Sequence, residues 1–426
     1  MRRVPGLVRN AVGRGAVSGA KTLDQAATER SEGQTPHRAG SDSRPTVAWL
    51  WNRYIGPVPW WEALILGLDH ERYRPVCIYL KHSSEVPNPL AEHGCTTHYI
   101  SRLRFFRWFN PWVIARLAGV LRREKVDILH CQGHQSTVYG TLAAHRAGVP
   151  VVLSHVHGLG RARRVRRRWI NRLVLPRVSR ILAVGEATRQ DVLAANPFLP
   201  PEKVCSSGIS IDVGHFADYP VSRAEARRRF GLDEGAIVVG TTGRLVPTKN
   251  QALLIEAFAR LRRRHPTAVL VIAGSGRLKE ALADQASRLG LAGAVRLLGH
   301  VAEVRDVLRA MDVFVLTSEA EGLPRSLIEA MAMGVPCVAS NRGGMPEILG
   351  AGRYGRIIEP GDLEGVARTL IEVVDMPSGN RQALIHAARE HVWRQYDHKV
   401  MLAGLQRIYD EELVKAKGRD PIRKGR

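Results

Sequence analysis

Val313-Phe-Val-Leu-Thr-Ser-Glu-Ala-Glu-Gly-Leu-Pro-Arg-Ser-Leu-Ile-Glu-Ala-Met-Ala-Met-Gly-Val-Pro-Cys-Val-Ala-Ser340 reads as a strand, a loop, a helix and a second strand in immediate succession. The apolar run Val313 to Leu316 is strand-like and closes at Thr317. A loop then carries Glu321 and Gly322. Pro324 stands where a first helical turn tolerates proline, so the pattern predicts a helix from Pro324 to Met333. Gly334 stops it, and Pro336-Cys-Val-Ala339 resumes extended structure. Two strands joined by one helix run parallel, which assigns the region to an open α/β sheet.

The same alternation extends outward. In the same half stand Ala236-Ile-Val-Val-Gly240, Ala268-Val-Leu-Val-Ile-Ala273 and Val295-Arg-Leu-Leu298. An earlier series comprises Thr46-Val-Ala-Trp-Leu50, Val76-Cys-Ile-Tyr-Leu80, Asp127-Ile-Leu-His130, Val149-Pro-Val-Val-Leu-Ser154 and Ile181-Leu-Ala-Val184. Between the series, Asn196-Pro-Phe-Leu-Pro-Pro201 and Gly208-Ile-Ser-Ile-Asp212 are punctuated by proline and glycine, as at a domain junction. A chain of 426 residues also exceeds what one core usually organises. The expectation is an α/β protein of two doubly wound, Rossmann-like domains, residues 44–212 and 213–388, with strand ends facing a central cleft where such sheets bind ligands. Residues 389–414 are expected to form one helix packing back toward the first domain, with Val392, Tyr396, Met401, Leu405, Ile408 and Tyr409 at helical spacing. Residues 415–426 read as a frayed basic tail, and residues 1–43 as a disordered leader without the apolar run of a secretory signal. Because Met1 to Ala20 contains arginine and no acid, a transit peptide or an early start codon stays open.

Three loops after strands carry chemistry. In Val239-Gly-Thr-Thr-Gly-Arg-Leu-Val-Pro-Thr-Lys-Asn250, glycines precede Arg244 and Lys249. Glycine lets backbone N–H groups approach an anion, and two cations balance a diphosphate, although a turn with surface cations reads the same way. The spacing is not that of a P-loop, which excludes an ATPase of that kind. Gly274-Ser-Gly276 is a bare Gly-x-Gly that a tight strand-to-helix turn explains as well as a ligand does. Glu321 to Glu329 is the strongest of the three. The N–H groups of Gly322 to Ser326 and the positive end of the helix dipole would face a diphosphate, with one carboxylate to either side. From Pro324 to Glu329 a helix rises roughly 7 to 8 Å, which suits a diphosphate bearing a hydroxylated ring at each end. Carboxylates are natural acceptors for vicinal sugar hydroxyls. The plainer alternative, a helix-start acid and a solvated glutamate, sits poorly with Leu327, Ile328, Ala330 and Met331 around Glu329.

Glu321-Gly-Leu-Pro with Glu329-Ala-Met-Ala, then Gly334-Val-Pro-Cys-Val-Ala and Gly343-Gly-Met-Pro-Glu347, resembles the donor-site signature of the group 1 (GT4) family of retaining glycosyltransferases, which have the two-domain GT-B fold. The resemblance covers about Val47 to Tyr409 and includes Gly148-Val-Pro-Val-Val-Leu-Ser-His-Val-His-Gly158 in the first half. It implies that Gly243, Arg244 and Lys249 bind the donor pyrophosphate, and that Glu321 meets the transferred sugar. Gly322, Leu323 and Pro324 would complete that loop, Glu329 would bind the ribose hydroxyls, and His300 and Val301 would receive the nucleobase through backbone groups. His157 falls at the family's cleft histidine, which meets the donor sugar or the departing phosphate, and it ranks above His155. Glu347 reads as structural. Two departures stand out: Gly56 is alone in Asn52-Arg-Tyr-Ile-Gly-Pro-Val-Pro-Trp60, where paired glycines are usual, and Ser207-Gly-Ile-Ser210 replaces Asn-Gly-Ile-Asp. Gly56 and His155 are the acceptor-side candidates. The implied reaction moves a sugar from a nucleotide-diphosphate sugar to a hydroxyl of a lipid-linked or cell-surface glycan precursor, without cofactor or bound metal. No Asp-x-Asp stands in the chain to chelate a metal on the diphosphate.

A net charge of +23 draws phosphate-rich partners of every kind. Arg102-Leu-Arg-Phe-Phe-Arg-Trp-Phe-Asn-Pro-Trp-Val-Ile-Ala-Arg-Leu117 and Arg161-Ala-Arg-Arg-Val-Arg-Arg-Arg-Trp-Ile-Asn-Arg-Leu173 interleave arginines with aromatics. Such stretches suit an anionic leaflet, where each cation contributes on the order of 1 kcal/mol, or a core-facing aromatic stripe beneath a solvated basic face. No nucleic-acid module accompanies them, so no nucleic-acid partner is expected. No run approaches the roughly 18 to 20 apolar residues of a membrane span. Cys77, Cys95, Cys131, Cys205 and Cys337 are odd in number and scattered, which excludes a zinc motif and reads as reduced thiols of a cytoplasmic protein; the basic stretches leave open a peripheral place on the inner face of the membrane. Two other readings share these features: a nucleotide-sugar epimerase of the same architecture, and a non-catalytic basic protein that binds membrane or nucleic acid. The last leaves the paired glutamates idle.

Overall fold

The computed structural model describes residues 43–419, apart from positions 55, 57, 83–85, 102–109 and 161–164. The expected leader up to residue 42, the end of the basic tail from residue 420 and parts of both arginine-aromatic stretches lie outside the described residues.

Strands β1 (Thr46–Tyr54), β2 (Arg74–His82), β3 (Thr96–Ser101), β4 (Val126–Gln132), β5 (Val151–Val156), β6 (Arg180–Ala183) and β7 (Val204–Ser206) form a parallel sheet in the order β3-β2-β1-β4-β5-β6-β7. A second parallel sheet holds β8 (Val238–Thr242), β9 (Val269–Ala273), β10 (Val295–Gly299), β11 (Val313–Leu316), β12 (Cys337–Ser340) and β13 (Arg356–Ile358), ordered β10-β9-β8-β11-β12-β13. Val47, Ala48, Trp49 and Leu50 of β1 are fully buried, as a central parallel strand covered by helices on both faces requires. Each sheet reverses its strand order beside its first strand, at β1/β4 and β8/β11, and the crevice at such a reversal is where these sheets take ligands.

All ten strands expected from the sequence are present. The three others, β3, β7 and β13, are sheet edges. β7 and β13 are three residues long, and β3 is Thr-Thr-His-Tyr-Ile-Ser, so pairing with a neighbour defines them rather than any periodicity of their own.

The expected helix over 389–414 is in fact two helices. Ser378–Tyr396 packs against helix Arg325–Ala332 in the second half, so that half extends past residue 388. Asp397 is extended, and its carboxylate accepts from Lys399 N at 2.9 Å, an N-cap that starts helix His398–Arg419. The second helix lies on the first half, where Met401, Leu405 and Tyr409 are buried with Trp49, Ile65 and Leu68. Burying each such side chain contributes about 2 kcal/mol. The helix carries on through Arg419, and Lys415 pairs with Glu412 at 2.9 Å where a frayed tail was expected. The stripe from Val392 to Tyr409 conceals the break because each helix is apolar on the face toward its own half. The two chain passages between halves lie side by side: Ile211 N donates to Tyr396 O at 3.0 Å and His398 N to Ile211 O at 3.1 Å.

Candidate active site

The loops after β8, β9 and β10 are stitched by backbone bonds that prolong the sheet: Gly243 N to Ala273 O (2.9 Å), Leu245 N to Ser275 O (3.0 Å) and Gly274 N to Gly299 O (2.6 Å). A Cβ on Gly276 would lie 2.3 Å from Leu245 O, so packing of one loop on the next explains the Gly-x-Gly. The loop after β11 is tied to the loop after β8 by Thr317 Oγ1 donating to Asn250 O (2.8 Å) and Glu319 N to Thr248 O (2.9 Å). These loops enclose a cavity of about 670 Å³, lined among others by Arg244, Lys249, His300, Val301, Glu321 and Glu329.

Helix Arg325–Ala332 starts at this cavity. Pro324 is its N-cap, one position earlier than expected inside the helix, with extended backbone and no side-chain cap. Arg325 and Ser326 line the cavity beside Pro324 and Leu323, so the positive end of the helix dipole points into it. Glu329 is 8% exposed. Burial pushes its carboxyl up from the usual range, opposed by Arg325, whose Nη2 lies 3.3 Å from Oε1. Glu321 is paired with Lys249 Nζ, so the carboxylate and the cation of two different loops meet at one point.

The first half reaches the same place through His157, which follows β5. Gly322 packs against its carbonyl: a Cβ there would stand 2.8 Å from His157 O. Gly343, at φ +56°, lies so close to the Glu321 carbonyl that a Cβ would stand 1.8 Å away, which is why glycine follows β12 at this point. His157 is exposed, and its Nε2 shares a 2.9 Å hydrogen bond with Gln132 Oε1 at the end of β4. His155, expected on the acceptor side, is fully buried beneath it, with ring centroids 4.4 Å apart and Nε2 3.1 Å from Ser207 Oγ. It therefore supports His157 rather than facing the cleft: two positions apart, the two rings project to the same side, and the His155 ring lies beneath. Burial, with help from His157 and His130, holds its imidazole well below the usual histidine range. His130 completes the stack at 5.4 Å and bonds Tyr409 OH through Nδ1 at 2.8 Å. Gly56 sits after β1 at φ +130° with open space about it. Glu347 accepts from Glu186 N at 2.8 Å, a contact between the halves in keeping with the structural reading.

The structure therefore gathers the expected donor-side residues other than Gly322 in one cavity, and Gly322 brings the His157 backbone to their edge. Gln132 and Arg325 went unremarked in the sequence. Arg325 could have been noticed as a cation in the first turn of a helix, where acids are favoured; nothing in the sequence marks Gln132.

Residues 222–391 match the family described as Glycosyl transferases group 1, and residues 60–206 match Glycosyltransferase Family 4. The D-inositol 3-phosphate glycosyltransferase of Stackebrandtia nassauensis is 31% identical over 348 residues, 72% of this chain and 77% of that relative. The chain belongs to the group 1, family 4 glycosyltransferases. The Escherichia coli UDP-Gal:alpha-D-GlcNAc-diphosphoundecaprenol alpha-1,3-galactosyltransferase is 28% identical to it over 269 residues, 61% of this chain and 69% of that relative. Anabaena HepE in complex with UDP shares the fold of this glycosyltransferase with a TM-score of 0.72 at 19% identity, over 86% of this chain and 100% of the other. The fold is GT-B, the protein is an enzyme that transfers a sugar, and the epimerase and non-enzymatic readings fall away.

Proposed function

We propose that this glycosyltransferase moves a sugar from a nucleotide-diphosphate sugar to a hydroxyl of a lipid-linked glycan precursor, with retention and without a metal. The observation that carries the reading is the single cavity in which Arg244, Lys249, Glu321, Glu329 and the start of helix Arg325–Ala332 converge. Arg244, Lys249 and the helix start bind the diphosphate and stabilise it as it leaves. Glu329 accepts from the ribose hydroxyls, and backbone groups of His300 and Val301 meet the base. Glu321 holds the transferred sugar and exchanges its pairing with Lys249 for sugar hydroxyls. His157, fixed through Gln132, contacts a sugar hydroxyl or the departing phosphate. The bond from the anomeric carbon to the phosphate oxygen breaks, the acceptor oxygen forms its bond on the same face, and the leaving phosphate takes the acceptor proton. Titration with UDP-sugars and GDP-sugars tests the core of this: Glu329→Ala should weaken donor binding about 10- to 100-fold, as loss of charge-assisted hydrogen bonds predicts. Unchanged binding would sink the assignment. Mass spectrometry of products formed from a donor panel with membrane extract identifies sugar and acceptor.

The acceptor's lipid end calls for a membrane-facing surface, which we place on helix Val165–Val174. Trp169 and Leu173 are 70% and 67% exposed, next to exposed Arg168 and Arg172. With Pro197 and Phe198 the helix borders a groove of about 560 Å³, where the Arg172 guanidinium lies 5.8 Å from the Phe198 ring. Among the described residues no helix is long and apolar enough to cross a membrane. Arginines beside exposed apolar side chains are the pattern of interfacial binding to an anionic leaflet. Flotation with anionic liposomes is the check, and failure to float at low salt would remove this part.

A further inference from the structure

A carboxylate that holds both hydroxyls of a ribose must be charged, because a protonated carboxyl turns one acceptor position into a donor. Glu329 is placed against that requirement, being buried on a helix whose neighbouring Ile328, Ala330 and Met331 are fully enclosed. The cation nearest to it is Arg325, one turn earlier, at 3.3 Å. Its position is a poor one for the helix itself. A cation in the first turn opposes the dipole, and a helical pair is more stabilising with the glutamate first and the cation second. The guanidinium also lines the same cavity as Arg244 and Lys249, which adds like-charge repulsion.

The other ionisable groups around the helix are engaged elsewhere or exposed. Lys249 pairs with Glu321, and Arg244 and His300 are exposed on the cavity wall. From the packed elements, Arg389 donates to Ala217 O at 3.2 Å, Arg381 to Asp312 O at 3.2 Å and to Val373 O at 2.6 Å, His215 meets Arg305, and Glu347 accepts from Glu186 N. We infer that Arg325 is a positioning residue for the donor, which holds Glu329 ionised and aimed at the ribose and so sets the lower pH limit of nucleotide binding. Arginine suits this task because it stays charged across the whole working range. The inference rests on the reading of Glu329 as the ribose ligand.

The test measures UDP and GDP affinity by calorimetry between pH 5.5 and 8.5, each variant being compared with the unaltered enzyme at the same pH so that titration of the nucleotide phosphate cancels. Without Arg325 the Glu329 carboxyl protonates at higher pH, so binding fails first at the acidic end. Arg325→Leu should bind about tenfold more weakly at pH 6, the equivalent of one unit of pKa, and return to within about threefold by pH 8.5. Arg325→Lys should recover most of the loss, and Glu329→Gln should be weak at every pH. A pH-independent loss in Arg325→Leu, or none, with Glu329→Gln still weak, overturns the role of Arg325 and leaves the donor site standing. Wild-type affinity in Glu329→Gln would instead overturn the ribose reading beneath it.

Discussion

The two halves of the cleft share a strand order and carry their chemistry in different ways. In the second half, one helix start and the loops beside it gather two carboxylates and three cations, and both carboxylates and Arg325 lie within nine positions, Glu321 to Glu329. In the first half, the exposed His157 rests on a buried stack of imidazoles, His155 of β5 and His130 of β4, closed by Tyr409, 279 residues from its partner His130. A diphosphate with a ribose is a compact, strongly charged ligand that a single helix N-terminus can read. The histidine stack of the first half is assembled by packing between distant segments, and its geometry belongs to the sheet rather than to a motif.

That contrast can be broken or sharpened by substitution. The largest effect belongs to the donor half: Glu321→Ala should lower kcat by about 10²- to 10³-fold while the donor KM moves far less, as for a group whose contacts strengthen in the transition state. A loss confined to KM would make Glu321 a plain binding residue. Next comes helix Val165–Val174, proposed as the membrane-facing surface, where replacing Trp169 and Leu173 together by serine should cost about 3 kcal/mol of interfacial burial and abolish flotation, with UDP affinity unchanged. Undiminished flotation would move the attachment surface elsewhere.

The smallest effect reads the imidazole stack through its titration. Burial, with a contribution from His157, pushes His130 down to about 3. The unfolded chain takes up that proton near pH 6.5 and the folded chain refuses it, so stability is full above pH 6.5 and declines as the pH falls toward 3, by up to about 1.4 kcal/mol per unit. His130→Leu should therefore flatten the loss between pH 6.5 and 5 by about 2 kcal/mol in urea unfolding, while giving up the Tyr409 hydrogen bond at pH 7. A slope equal to that of the unaltered protein would show that His130 does not carry the pH sensitivity of the first half.

Much of the molecule was legible from sequence where physics acts locally. Central strands such as Val313 to Leu316 are continuous apolar runs because both faces are covered, and Glu321 to Glu329 is readable because one segment makes the site. Distance hid the rest. β3 and β13 exist through their neighbours, the break at Asp397 is masked by two helices that each present an apolar face, and the burial of His155 depends on Ser207 and His130, which lie far from it in the chain. Gln132 acquires its role only when β4 lies beside β5.

Helix His398–Arg419 belongs in space to the half whose strands are made first. While the ribosome is still adding the second sheet, Trp49, Ile65 and Leu68 have no cover on one face, and His130 has no hydroxyl to meet. The half whose strands are made first is therefore covered by the helix that is made last among the described residues.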